Sequence, residues 1–158
     1  MRRVVLLAAL ALALPAAAWA QGKADFSGTW KYEKSEPAGY RGTGGGWAVP
    51  APTFVMRQTA TEITVESDNY GKPMKMVYKL DGSDDITEAQ GESQSGVAAV
   101  VRWRTKSRWD GNKLVLYTWN TALNQMRDTM TLSGTQLTIA RVTENPGGST
   151  TTKLLYNK

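Results

Sequence analysis

The stretch Asp25–Ser35 reads DFSGTWKYEKS, and its reading decides the fold. Phe26, Gly28, Trp30 and Tyr32 occupy alternate positions, with Ser27, Thr29 and Lys31 between them. Successive strand residues point to opposite faces, so this spacing predicts a β-strand with one apolar side. It is expected to be the first strand of a closed barrel, with Trp30 plugging one end.

Upstream lies MRRVVLLAALALALPAAAWAQG. Arg2 and Arg3 form a positive start, Val4–Leu14 an apolar run, and Ala18-Trp19-Ala20 a small-residue cleavage site. These are the parts of a secretory leader, and the apolar run is too short for a membrane span. Residues 1–20 are therefore expected to be removed as a signal peptide, leaving residues 21–158 as one periplasmic or secreted domain without a stable membrane anchor. Losing Arg2 and Arg3 with the leader lowers the formal net charge from +5 to +3. So small an excess favours solubility and does not argue for nucleic acid.

Downstream the period of two recurs with no helical pattern to compete. The predicted strands are Thr53–Gln58, Thr61–Ser67, Pro73–Leu80, Ile86–Gln90, Val97–Trp109, Asn112–Trp119, Leu123–Leu132, Thr135–Thr143 and Ser149–Tyr156. Asp110-Gly111 and Ser133-Gly134 read as two-residue hairpin turns. The whole predicts an all-β fold: a single antiparallel meander of about eight to ten strands, closing into a barrel so that no edge is left unpaired. A two-sheet sandwich is the alternative with the same alternation. The Gly/Pro-rich segment 36–52 interrupts the rhythm and predicts a long loop. Its GTGGG run is no phosphate cradle, because Pro50 and Pro52 preclude the helix such a site needs.

At FSGTWKYEKS the chain resembles the opening strand of the calycins, the lipocalins and fatty-acid-binding proteins, whose signature Gly-x-Trp is matched by Gly28-Thr29-Trp30. It is most similar to small bacterial secreted lipocalin-like proteins of unknown function. Those carry WDG.KL and LSG..L hairpins, here Trp109–Leu114 and Leu132–Leu137. The resemblance implies a barrel with an Arg packed over the signature Trp. Arg141 is the candidate: Leu137, Ile139 and Arg141 share a face, so Arg141 turns inward with the apolar residues. A Ser133-Gly134 turn would set Asp128 diagonally across from it. An inward Asp128–Arg141 pair near Trp30, with the cation over its ring, is the resulting expectation.

Val101, Trp103, Thr105, Ser107 and Trp109 share one face of their strand, and Arg102, Arg104, Lys106 and Arg108 the other. An Asp110-Gly111 turn would pair Arg102 with Trp119 and Arg104 with Tyr117. Either the cationic stripe is a solvated outer face with cross-strand cation–π pairs, or its Arg residues line the cavity for an acidic ligand. Met56, Met74, Met76, Met126 and Met130 are expected inside, as adaptable apolar surface.

The chain has no cysteine and no histidine. Thiol nucleophiles, Cys/His zinc sites and Ser-His-Asp triads cannot be built from it. No metal and no cofactor is expected, and an enzyme would have to rely on Asp128. The reading that follows is a monomeric, non-enzymatic barrel binding a small apolar or amphipathic molecule, with Trp30, Met76, Tyr78, Trp103, Asp128 and Arg141 at the pocket. The alternative is a packed barrel with no cavity, acting through its outer face or the 36–52 loop.

Overall fold

The computed structural model describes residues 22–39, 51–69, 72–92, 98–120 and 125–158. The predicted leader lies outside these residues, as does most of the 36–52 loop. Ten strands form one antiparallel sheet: β1 (Gly28–Glu36), β2 (Thr53–Gln58), β3 (Glu62–Asn69), β4 (Lys72–Lys79), β5 (Asp85–Glu92), β6 (Ala98–Asp110), β7 (Lys113–Asn120), β8 (Gln125–Ser133), β9 (Gln136–Asn145) and β10 (Gly148–Asn157). Each predicted strand is present: the first runs Gly28–Glu36, the predicted ends Val97 and Leu123 lie outside the described residues, and the other ends move by two residues at most. The spatial order is β4-β3-β2-β1-β10-β9-β8-β7-β6-β5, a meander whose first and last strands pair.

The sheet is a nearly closed barrel. Its seam lies between β4 and β5, where no backbone ladder runs among the described residues. Side chains close it instead. Thr105 Oγ1 on β6 donates to the Val77 carbonyl at 2.6 Å, and Ser107 Oγ to the Lys79 carbonyl at 2.7 Å. Lys79 Nζ also lies 3.3 Å from Asp85 Oδ1. Inward hydroxyls on β6 thus satisfy two carbonyls that an open edge would leave to water.

Two registers correct the sequence expectation. Asp110 pairs with Lys113, and Ser133 with Gln136, so the turns are Gly111-Asn112 and Gly134-Thr135. The glycine is the first turn residue in each, at φ +59°, the left-handed backbone that the first position of a tight hairpin requires. Each turn moves one residue along the chain, so partners change while every residue keeps its face. Arg104 pairs with Trp119 and Lys106 with Tyr117. Asp128 stands directly opposite Arg141, not diagonal to it.

The inward faces make one core. Phe26, Trp30, Phe54, Met56, Ile63, Val65, Met76, Tyr78, Leu114, Leu116, Met130, Leu137, Ile139, Leu154 and Tyr156 are all buried in it. Four of the five predicted interior methionines are fully buried and Met74 is partly so.

Candidate functional site

The lower end of the barrel, where β1 begins and β10 ends, is plugged. Trp30 is wholly buried there, and its Nε1 donates to the Phe26 carbonyl at 3.0 Å. That bond folds the preceding segment under the barrel, where Phe26 packs against Trp109 with ring centroids 6.2 Å apart. Gln58 fastens the same segment, accepting from Phe26 N at 3.0 Å and donating to the Ala24 carbonyl at 3.1 Å.

The cation over the Trp30 ring is Lys158, with Nζ 5.1 Å from the centroid. Gly28 makes this possible. A β-carbon there would lie 2.8 Å from Lys158 Cε, and the backbone sits at φ +145°. Glycine tolerates that conformation and leaves room for the lysine stem. The small first residue of Gly-x-Trp thus admits the cation that covers the large third one.

Arg141 was expected in that place. It pairs with Thr152 on β10, whereas Lys31, next to Trp30, pairs with Asn157. Thr152 and Asn157 are five residues apart, roughly 16 Å along a strand. Arg141 therefore belongs to a higher level of the interior than Trp30.

At that level the walls change character. Asp128 and Arg141 form a bidentate pair, Nε to Oδ1 at 2.7 Å and Nη2 to Oδ2 at 2.8 Å, with both side chains 1% exposed. The fork geometry matches guanidinium to carboxylate and nearly cancels the two charges. Thr143, Thr152, Ser35 and Thr118 are also buried, short polar side chains where the lower half carries Leu, Ile, Met and aromatic ones. Tyr78 reaches across the interior from β4, its hydroxyl 2.8 Å from Thr118 Oγ1 on β7.

Among the described residues three buried polar groups have no hydrogen-bond partner: Trp103 Nε1, Trp109 Nε1 and Tyr156 OH. The Tyr156 ring is held edge-on by Phe54 and Tyr32, at 4.7 and 5.6 Å between centroids. Burial pushes its phenol well above the usual tyrosine range; the Arg141 charge opposes the shift, and the Asp128 charge reinforces it. The hydroxyl therefore stays protonated, a donor in reach of the pair's field.

All six residues predicted from sequence face inward. Asp128 and Arg141 are brought into contact, Met76 and Tyr78 sit two apart on β4, Trp103 is on β6, and Trp30 belongs to the plug. Sequence reasoning missed Tyr156, Thr118 and Lys158. The alternation Leu154–Tyr156–Lys158 would have placed Tyr156 inward, whereas Thr118 meets Tyr78, and Lys158 meets Trp30, only once distant strands are brought together.

The cationic stripe lies outside. Arg102, Arg104, Lys106 and Arg108 are exposed. Arg102 Nε meets Glu88 Oε1 at 2.8 Å, Arg104 pairs with Asp84, and Arg108 Nε donates to Tyr117 OH at 3.1 Å. The hydrogen bond from Arg104 holds the Asp84 carboxyl below its ordinary pKa. Tyr117 and Trp119 stack beside the stripe, 5.8 Å apart and 11° from parallel. The stripe thus takes the solvated place, and the cavity-lining alternative is overturned. An open groove of about 430 Å³ lies at β2, β3 and β4 and takes in the inward row Phe54, Ser67 and Met74 together with Val55 and Pro73. Among the described residues no three carboxylates gather to hold a metal ion.

The meander, the Gly-x-Trp plug and the side-chain-closed seam between β4 and β5 together make a nearly closed ten-stranded antiparallel β-barrel. One solved structure shows the same fold at low identity. A secretary abundant heat soluble (SAHS) protein from Ramazzottius varieornatus superimposes with a TM-score of 0.54 at 12% identity, over 87% of this chain and 96% of that one. Zebrafish ileal bile acid-binding protein complexed with cholic acid matches with a TM-score of 0.49 at 14% identity, over 84% of this chain and 98% of that one. No family profile and no curated protein matches the sequence.

Proposed function

We infer that the protein is an exported, non-enzymatic barrel whose interior takes up a small apolar or amphipathic molecule. The observation that carries this reading is the buried polar layer above an apolar, plugged floor. A purely structural core would be at least as stable with apolar residues at Asp128 and Arg141, because desolvating an ion pair offsets most of its attraction. Buried donors left unpaired at Trp103 and Tyr156 cost stability too. Departures of this kind concentrate where a fold serves a ligand. Ten strands also enclose more room than the eight whose side chains alone can fill a barrel.

The test is titration of the protein's tryptophan fluorescence with fatty acids, haem and neutral aromatic probes. Saturable quenching or a spectral shift at micromolar ligand is the expected result. No saturable change with any of them would end the reading. Export is checked by fractionation: the protein should be recovered outside the cytoplasm with Gln21 at its N-terminus, and recovery of the uncleaved chain would refute it.

A second reading rests on the outer face, where Ile86 is 66% exposed on the strand next to the cationic stripe. A packed barrel would act there through a partner. Pull-downs with Ile86→Ser and Arg104→Glu would then lose that partner while interior titrations stay blank.

A further inference from the structure

The outer face from β5 to β8 mixes cations, stacked aromatic rings and the exposed Ile86. Ile86, Arg104 and Trp119 stand side by side in one cross-strand row, and Lys106, Tyr117 and Arg127 in the next. Strands lie about 4.8 Å apart, so each row spans roughly 10 Å. Ile86 is 66% exposed, while Tyr117 and Trp119 are half-buried with their rings stacked. Arg102 meets Glu88, Arg104 meets Asp84, and Lys106 Nζ lies 3.8 Å from Asp84 Oδ1. No carboxylate of the described residues lies within ion-pair distance of Arg108 or Arg127. Glu144 on β9, opposite Gln125, bounds the face. The cations therefore outnumber the acids they touch. Exposed ion pairs hold weakly, so the paired cations can exchange their carboxylates for phosphates.

We propose that this face docks reversibly on the surface of an anionic phospholipid bilayer, with its cations on lipid phosphates, Tyr117 and Trp119 at headgroup depth and Ile86 inserted beside them. A cation near an anionic leaflet gains attraction that adds over neighbouring charges. Tryptophan and tyrosine settle at the headgroup level, because each ring has an apolar body and a polar tip. Ile86 separates a bilayer from a soluble polyanion. A polyanion would neutralise the stripe and leave Ile86 in water, whereas a bilayer buries it. The inference deepens the outer-face reading by naming its partner, rests on that face being where the barrel acts, and asks nothing of the interior.

The experiment sediments the purified protein with vesicles of phosphatidylcholine alone or of phosphatidylcholine and phosphatidylglycerol in equal amounts, at low and high salt. The wild type should bind the anionic vesicles about tenfold more tightly than the neutral ones, and high salt should erase that margin by screening. Arg108→Ser with Arg127→Ser removes the two cations that touch no carboxylate and should weaken binding to anionic vesicles about twentyfold. Ile86→Ser should weaken it about fivefold and leave retention on heparin, a soluble polyanion, unchanged. The N-terminal segment is common to wild type and variants, so differences between them report on this face. Equal binding to both kinds of vesicle, unchanged binding in either variant, or no binding of the wild type to anionic vesicles would each overturn the proposal. Heparin retention without vesicle binding would assign the face to a soluble polyanion instead. Failure of the outer-face reading itself shows separately, as pull-downs in which Ile86→Ser and Arg104→Glu keep every partner.

Discussion

Replacing Asp128 by Ala removes the carboxylate that accepts from Arg141 Nε and Nη2 and leaves the guanidinium in a site only 1% exposed. Breaking a buried pair from one side costs about 3–5 kcal/mol. A single domain has on the order of 5–15 kcal/mol in total, so the variant should be folded but fragile. For a domain of this size each kcal/mol moves the midpoint by about 3–4 °C, which puts the loss at roughly 10–20 °C. The double variant Asp128→Leu/Arg141→Met exchanges the pair for apolar side chains and should return to within about 1 kcal/mol of the wild type, or exceed it. Urea unfolding followed by tryptophan fluorescence measures each step, with circular dichroism melts as a second probe. A single variant that loses less than about 1 kcal/mol, or a double variant as unstable as Asp128→Ala, would refute the argument that the pair is buried, coupled and retained for something other than stability.

Three further outcomes follow from the same geometry. Tyr156, whose buried phenol is raised, should stay protonated while exposed tyrosines ionise near pH ~10. Because its folded pKa is raised, its stabilising contribution is complete below the unfolded value and lost as pH climbs above it; the difference in absorbance at 295 nm between wild type and Tyr156→Phe should show Tyr156 ionising only with alkaline unfolding, and its early ionisation would contradict the burial. Thr105→Val with Ser107→Ala leaves the Val77 and Lys79 carbonyls without their β6 donors, so amide exchange along β4 should accelerate more than along β9; uniform exchange would mean the seam is held otherwise. Trp30→Phe keeps the plug's bulk but loses the bond to Phe26 O and should cost about 1–3 kcal/mol, leaving the Ala24–Phe26 segment open to proteolysis; an unchanged cleavage pattern would show that Gln58 alone fastens it.

The sequence by itself determined the strands and their faces. Alternation in Phe26–Tyr32, Met74–Leu80 and Leu137–Arg141 reports which side chains are enclosed, because burial of one face acts on every second residue. That information survives a shift of both turns by one position, which changes partners but never sides. Cross-strand partners were legible only to within that shift, and it decided whether Asp128 meets Arg141 diagonally or head-on. The tertiary structure alone decided the remainder: that the cation over Trp30 is Lys158 and not Arg141, that Tyr78 reaches Thr118, that two hydroxyls of β6 close the seam, and that Tyr156 and Trp103 are left without partners. These contacts join residues far apart in the chain across an enclosed space. Their existence depends on how far the sheet curls before it meets itself, a quantity no local pattern of residues encodes.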